Sequence, residues 1–215
     1  MRAARTAHEL VSALLLGLLV SGCGSSPPTR FYALDAVAAP DKPVAAPDKP
    51  VAAQDKPAAA PDTPLKVAAV HVPPALDRNE IVRGESHNEL AISAQDRWAA
   101  DFGEMARRVL TQDLQSRLPP EAVIAPDSPA PPDARGLVVD ILTFQPQADG
   151  ELVLSADWSL LQGAPPGPVL QRSVRLTAPA ADSAGGEAAG MSQLLAQLAD
   201  DIAAQVVAHP AARAR

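Results

Sequence analysis

Alternating apolar and polar positions predict several β-strands in the chain. In ELVLSADWSLLQ, residues 151–162, every second residue from Leu152 to Leu160 is apolar and the residues between them are mostly polar. A period of two places one face of a strand on a core and the other in water, as in antiparallel sheets. Segment 136–145 flanks this strand across a turn near Gly150, which predicts a long hairpin. Further strands are predicted at 65–72, 80–83, 89–92 and 169–178.

Apolar residues at intervals of three and four predict two helices. The first is predicted to begin at Ser93, because Ser93 and Asp96 have the S-x-x-D spacing of a capping box, and to end before Pro119. Its apolar stripe comprises Trp98, Phe102, Met105, Val109, Leu110, Leu114 and Leu118. The second helix is predicted over 187–208. This order of elements predicts an α+β fold, with one antiparallel sheet and both helices packed on one of its faces.

The N-terminal residues have the pattern of an export signal. Two arginines precede an apolar run at 10–20, which is followed by two small residues and the only cysteine, Cys23. The run is shorter than the roughly 20 residues of a transmembrane helix. The stretch VSGC resembles a bacterial lipobox, which implies a cleaved signal at 1–22 and acylation of Cys23. The next residue is Gly rather than Asp, which by the same resemblance implies the outer membrane. An ordinary signal with an incidental cysteine is the alternative.

A proline-rich repeat, APDKPVA with a period of seven, occupies most of residues 36–64. Proline blocks helix formation, so the repeat is predicted to be a disordered spacer near polyproline II. A proline-motif ligand and a cell-wall contact through the lysines are the alternatives. The segment FYALD at 31–35 precedes the repeat and has the composition of a strand. If it pairs with the folded domain, the repeat is an insertion and the tether spans only 23–30.

Charge and residue types narrow the classes of function. The formal net charge of −7 argues against nucleic-acid binding, and a single cysteine excludes an intramolecular disulfide or a multi-thiolate metal site. The chain has no nucleophile elbow, P-loop, dinucleotide-binding or zincin motif. Its four histidines are scattered along the sequence, so no metal site is predicted. We therefore expect no enzymatic activity and no cofactor.

The densest polar stretch, PPALDRNEIVRGE at 73–85, is the candidate partner-binding segment. Two prolines stiffen the loop that follows them, and charged residues lie on both sides of an apolar pair. The alternative is a loop salt bridge beside a half-buried strand. The candidate contact residues are Leu76, Asp77, Arg78, Ile81 and Arg83.

Two stretches carry a resemblance to a known family: LDRNEIVRG at 76–84 and DRWAADFGEMARRVLTQDLQSRL at 96–118. Their Leu-Asp-Arg, Ile-Val and Arg-Trp-Ala elements resemble, in the same order, the ABC-type transport auxiliary lipoproteins of the PqiC-like group. FYALD is similar to the first strand of that family, and 139–160 to its second hairpin. The chain departs from the family pattern at Ala75, 79–80 and 100–101, where an aromatic residue, Pro-Gln and Glu-Pro are usual.

The resemblance implies an outer-membrane lipoprotein that faces the periplasm and is a docking or scaffold component of an ABC system with an MCE-domain protein. Such systems move lipids or other hydrophobic compounds, and relatives form rings. The expected partners are therefore the MCE-domain protein, ABC subunits and further copies of this chain. The alternative is a stand-alone lipoprotein that binds a small hydrophobic ligand or the cell wall. The expected organisation is a signal (1–22), a lipidated tether (23–30), a first strand (31–35), a disordered repeat (36–64), an α+β domain (65–209) and a disordered tail (210–215).

Overall fold

The computed structural model describes residues 27–39, 63–86, 89–119 and 121–211. The predicted signal, Cys23, most of the repeat and most of the tail lie outside the described residues, so the predictions about them stay predictions. The described strands are β1 (Arg30–Tyr32), β2 (Leu65–His71), β3 (Glu80–Ser86), β4 (Glu89–Trp98), β5 (Arg135–Pro146), β6 (Glu151–Gln162) and β7 (Gly167–Pro179). The described helices are α1 (Phe102–Arg117), between β4 and β5, and α2 (Ala184–Ala208), after β7.

The large sheet contains four strands in the order β2-β5-β6-β7. Strands β5 and β6 form the predicted long hairpin, with Val139 opposite Trp158, and β7 continues the sheet antiparallel to β6. Strand β2 instead pairs parallel to β5, with Leu65 opposite Arg135. Between β2 and β5 the chain therefore passes through β3 and β4 of the small sheet and through α1. Strand β5 then joins the large sheet next to β2.

The small sheet contains three strands in the order β1-β4-β3. Strands β3 and β4 form the predicted hairpin, whereas β1 runs parallel to β4 with Arg30 opposite Asp96. The predicted α+β class is confirmed, but the expected single antiparallel sheet is corrected to two mixed sheets. Alternation identifies the buried face of a strand, but it does not identify the neighbouring strand or its direction.

Strand β1 brings residues that precede the repeat into the same fold as residues that follow it. The strand covers Arg30–Tyr32 rather than 31–35, because the chain then leaves the sheet for the helices. The backbone N–H of Asp35 donates to Ser192 Oγ at 3.0 Å, and that of Val37 donates to Asp113 Oδ1 at 2.7 Å. These bonds to α2 and α1 replace the strand pairing that the composition of the segment predicts.

Both helices cover one face of the large sheet, as predicted. Helix α1 lies over β2, α2 lies over β6 and β7, and the two helices pack against each other. Side chains from strands and helices meet in a core in which Leu137, Trp158 and Leu194 have no exposed area. The Trp158 indole Nε1 donates to Asp201 Oδ2 at 3.3 Å, so the polar atom of this buried ring has a partner.

Helix α1 begins at Phe102, not at Ser93. The residues before it form β4, because they pair with β3 along one edge and with β1 along the other. The Asp96 N–H does donate to Ser93 Oγ at 2.9 Å, as a capping box requires, but the bond forms within β4. Asp101 is the N-cap instead, and its Oδ1 accepts from the Glu104 N–H at 2.9 Å.

Candidate functional site

Two of the five predicted contact residues are buried, one in the loop before β3 and one in β3 itself. Leu76 is 6% exposed and Ile81 is 1% exposed, so both side chains belong to the core. Their burial assigns both side chains a packing role, and the prediction that they contact a partner stays a prediction. The Leu76 N–H donates to the carbonyl of Pro73 at 2.8 Å, and this turn directs the Leu76 side chain inward.

Asp77 and Arg78 lie on the exposed part of the same loop. Arg78 Nε donates to Glu80 Oε2 at 3.2 Å, and Arg97 Nη1 lies 3.7 Å from Glu80 Oε1. A backbone hydrogen bond and the bond from Arg78 lower the pKa of the Glu80 carboxyl. The loop therefore presents charged side chains held by exposed ion pairs, and a partner contact through Asp77 and Arg78 stays a prediction.

Arg83, the fifth predicted contact residue, forms an ion pair inside the fold. Its Nε donates to Glu187 Oε2 at 2.6 Å, and its Nη1 donates to the carbonyl of Asp182 at 3.2 Å. The Glu187 side chain is fully buried, and its Oε1 has no hydrogen-bond partner. Burial raises the pKa of Glu187, while Arg83 opposes that rise. This pair joins β3 to the first turn of α2, so Arg83 holds the small sheet against the helix.

A pocket of about 400 Å³ opens between the small sheet and the N-terminus of α2. Its lining is mixed: Ile81 and Ile92 contribute apolar surface, and Arg30, Arg83 and Asp96 contribute charge. The Ser183 side chain, which caps α2 by accepting from the Gly186 N–H, also lines the pocket. The Arg83 ion pair lies at its helix side.

On the opposite wall of this pocket, Asp96 accepts hydrogen bonds from three side chains. Its Oδ1 accepts from Arg30 Nε at 2.8 Å and from the Tyr32 hydroxyl at 3.2 Å, and its Oδ2 accepts from the Ser93 hydroxyl at 3.0 Å. Burial alone would raise the pKa of Asp96, but the hydrogen bonds from Ser93 and Arg30 outweigh it and lower the pKa. The carboxylate is therefore ionised near neutral pH, and it ties β1 to β4.

A second groove, also of about 400 Å³, separates β1 and the residues that follow it from α2. Small residues of α2, including Gly185, Ala188 and Ala189, form one side, and Phe31 lies on the other. Among the residues that the structure describes, no group of three or more His, Cys, Asp or Glu side chains is arranged to hold a metal ion. None of the described helices is long and apolar enough to cross a membrane.

Sequence reasoning missed three buried charged residues: Asp113, Arg135 and Glu187. Arg135 donates from Nη1 to the carbonyl of His209 at 2.8 Å, at the end of α2 where the helix dipole favours a cation. Burial lowers the pKa of the Arg135 guanidinium. The sequence did indicate that these three residues are buried, because each occupies a position where the helical or strand period predicts an apolar side chain.

Asp113 links both helices to the N-terminal segment. Its Oδ1 accepts from the Val37 N–H, and Arg117 Nη1 lies 3.7 Å from the same oxygen. Arg117 in turn donates to Asp200 Oδ1 of α2 at 2.6 Å and to the carbonyl of Val37 at 3.1 Å. Burial raises the pKa of Asp113 to about 6.

The comparisons with known proteins identify the family. A family model described as "ABC-type transport auxiliary lipoprotein component" matches residues 47–203, which include β2 to β7, α1 and most of α2. The chain belongs to this family. The resemblance carried by LDRNEIVRG and by 96–118 is thereby confirmed, and the chain is an auxiliary lipoprotein of ABC-type transport. A search of curated proteins returned no significant match.

Two solved structures share the fold of this auxiliary lipoprotein. One, a crystal structure of an uncharacterized protein, is 22% identical with a TM-score of 0.65, and the match covers 84% of this chain and 99% of that one. The other is protein XCC0632 from Xanthomonas campestris, of the family DUF330. It is 17% identical with a TM-score of 0.62, and the match covers 83% of this chain and 95% of that one. At these identities the two structures support the fold alone.

Proposed function

We propose that this auxiliary lipoprotein is anchored in the outer membrane, faces the periplasm and acts as a docking or scaffold subunit of an ABC transport system with an MCE-domain protein. Membership of the auxiliary family is the observation that carries the proposal. The proposed cargo is lipid or another hydrophobic compound, and the proposed assembly is a ring of identical copies. Acylated Cys23 is the proposed anchor.

The hydrogen bonds and the ion pair that engage the charged groups at the pocket support a role without enzymatic turnover. Asp96 accepts three hydrogen bonds from neighbouring side chains, and Glu187 is buried against Arg83. Both carboxylates therefore hold strands and a helix together. A general acid or base needs a titratable group within reach of a substrate, and these two groups are already committed to structural contacts.

The proposal is tested by affinity purification of the full chain from detergent-solubilised membranes. We expect an MCE-domain protein and ABC subunits to co-purify, and we expect a complex larger than one chain on native gels. The matched control is Cys23→Ala, which should lose acyl labelling and the membrane fraction while its folded domain is retained. Recovery of the acylated chain as a monomer with no transport subunit would contradict the docking role.

A second candidate, a stand-alone lipoprotein that binds a hydrophobic ligand, is favoured by one observation. The groove between Phe31 and α2 is open and has a floor of small apolar residues. Lipid extraction of the purified chain followed by mass spectrometry separates the two candidates. A stoichiometric lipid on a chain without transport subunits would favour the second.

A further inference from the structure

Strand β7 is the outermost strand of the large sheet and pairs with a described strand on one side only. The strand order ends at β7, and its main contacts are with β6 and α2. At 13 residues it is the longest described strand, and its two prolines, Pro168 and Pro179, lie at its ends. Proteins usually protect such edges by keeping them short or by placing proline within them. In the part of the chain that the structure describes, no strand pairs with the backbone groups of 169–178 that point away from β6.

The first residues of β2, at the opposite edge of the same sheet, are covered by the chain itself. The Leu65 N–H donates to the carbonyl of Ala122 at 2.8 Å, and the Ile124 N–H donates to the carbonyl of Leu65 at 2.8 Å. Lys66 Nζ donates to the carbonyl of Ala125 at 2.9 Å. The segment that follows α1 thus occupies this edge, and β7 offers the longer edge at which another chain can extend the sheet.

The apolar row of β7 on the helix side is covered only in part. Leu154 and Ala156 of β6 are 0% and 1% exposed, and they lie opposite Leu176 and Val174 of β7. Directly opposite residues share a face of the sheet, so Leu176 and Val174 also lie on the helix side. Both are only half-buried, although they pack against the core. Helix α2 therefore leaves room beside β7 for further apolar side chains.

Two arginines of β7 lack the ion pairs that other arginines at the surface form. In the described residues, the other arginines that reach the surface all pair with carboxylates. Arg172 and Arg175 are exposed, and neither pairs with a carboxylate of the described residues. Arg175 Nη1 donates to the Ser155 hydroxyl at 3.4 Å on the outer face of the sheet, whereas Arg172 lies opposite Trp158 on the helix side. The two cations therefore flank the open edge on both faces.

We propose that β7 is the docking edge of this lipoprotein, and that it binds an extended, acidic segment of a partner protein as an additional strand of the large sheet. This inference deepens the proposed docking role and rests on it. In strand addition, main-chain hydrogen bonds supply the affinity and the side chains beside them supply the specificity. The arginines attract the acidic segment and reject basic ones.

The side chains of β7 define the segment that fits. The partner residues opposite Arg172 and Arg175 are carboxylates, and they lie on opposite faces of the added strand because directly opposite residues share a face. The partner residues opposite Val174 and Leu176 are apolar, and they complete the half-covered row beside α2. A second copy of β7 does not supply this pattern, because 167–179 contains no Asp or Glu. The repeat does not supply it either, since its recurring prolines cannot donate to a strand pair.

The test is photo-cross-linking of the acylated full chain in its native cells. Benzoylphenylalanine replaces Ser173, which is exposed between the two arginines. After illumination and purification in detergent, mass spectrometry identifies the cross-linked peptide. A second form adds Arg172→Glu and Arg175→Glu. The control for position is benzoylphenylalanine in place of Gln112, which is exposed on α1, and the control for charge reversal is Arg108→Glu on the same helix.

We expect position 173 to cross-link to a partner segment that carries two carboxylates three positions apart with apolar residues between and beyond them, and position 112 not to cross-link to it. Reversal of both arginines should reduce this cross-link by roughly tenfold or more, because like charges then face each other across the interface. Arg108→Glu should leave it unchanged. Replacement of the two partner carboxylates by lysine should restore the cross-link to the reversed form.

Four results would overturn the inference. The first is a cross-link from position 173 to this chain, which shows that a second copy or the repeat covers β7. The second is an equal cross-link in the charge-reversed form. The third is the absence of a cross-link at 173 while transport subunits still co-purify, which leaves the proposed function intact. The fourth is an acylated chain that co-purifies with no transport subunit, which overturns both proposals.

Discussion

The two sheets of this auxiliary lipoprotein differ in how much of their apolar surface is buried and in how they contact the helices. The large sheet buries one face under α1 and α2, and its inward side chains, such as Trp158 and Leu154, have no exposed area. The small sheet keeps Leu90 and Ile92 at the surface and is attached to α2 through the Arg83–Glu187 ion pair. The comparison teaches that the large sheet is held by apolar burial under the helices, whereas the small sheet combines the burial of Ile81 and Trp98 with an ion pair to α2.

The largest expected effect comes from the core of the large sheet. Trp158→Ala should lower the free energy of unfolding by about 3–5 kcal/mol, because it leaves a cavity and removes the partner of Asp201. Ile92→Ala, on the small sheet, should change it by less than about 0.5 kcal/mol. Urea unfolding followed by circular dichroism measures both. Similar losses in the two variants would contradict the distinction between the buried side chains of the large sheet and the exposed face of the small sheet.

The next largest effect is expected at the junction between the small sheet and α2. Arg83→Ala should cost about 2–4 kcal/mol, because it leaves the Glu187 carboxyl buried without its cation. Burial raises the pKa of Glu187, so the loss should be smaller at acidic pH, where that carboxyl is protonated. The control is Arg30→Ala, which removes an exposed cation and should cost at most about 1 kcal/mol. An equal cost for the two variants would show that burial of the Glu187 pair is unimportant.

A smaller, pH-dependent effect is expected where both helices meet the residues after β1. The pKa of Asp113 is about 6 in the folded chain and 3.8 in an ordinary environment. The folded state therefore binds this proton more tightly, and the stability contribution of Asp113 is full below pH 3.8 and is lost as the pH rises through 6. Asp113→Asn keeps the acceptor for the Val37 N–H without the charge. It should remove about 1–3 kcal/mol of the pH dependence between pH 4 and 7.

Denaturant midpoints of the unsubstituted chain and of Asp113→Asn across this range provide the measurement. Asp200→Asn is a suitable control, since Asp200 contacts the same Arg117 from an exposed position. If Asp113→Asn and the unsubstituted chain show the same slope with pH, Asp113 does not titrate as proposed.

The smallest effect on stability is expected at the exposed loop before β3. Arg78→Glu should change the free energy of unfolding by less than about 0.5 kcal/mol, because the ion pair with Glu80 is exposed. We expect the same variant to weaken partner binding or oligomer formation on native gels. Unchanged assembly would exclude Arg78 as a contact residue. The loop before β3 would then have no partner contact supported by experiment.

Much of the secondary structure could be predicted from local patterns, and the errors have physical causes. Ser93 and Asp96 make the hydrogen bond of a capping box, yet β4 continues through them because strands on both sides supply backbone partners. The candidate contact residues likewise include some whose environment local patterns predict and some whose environment they do not. Asp77 and Arg78 are exposed as expected, but Leu76 and Ile81 are buried because the turn and the core, rather than their local polarity, determine their environment.

The sequence by itself determined the α+β class and the two helices through periodicity, and it indicated the family and the lone cysteine as the candidate anchor through the resemblance of short motifs to known ones. Only the tertiary structure decided that β1 pairs parallel to β4 and that Arg83 meets Glu187, 104 positions away. Periodicity reports which face of an element is buried. It cannot report which distant element covers that face, because that choice depends on the free energy of the whole packed core.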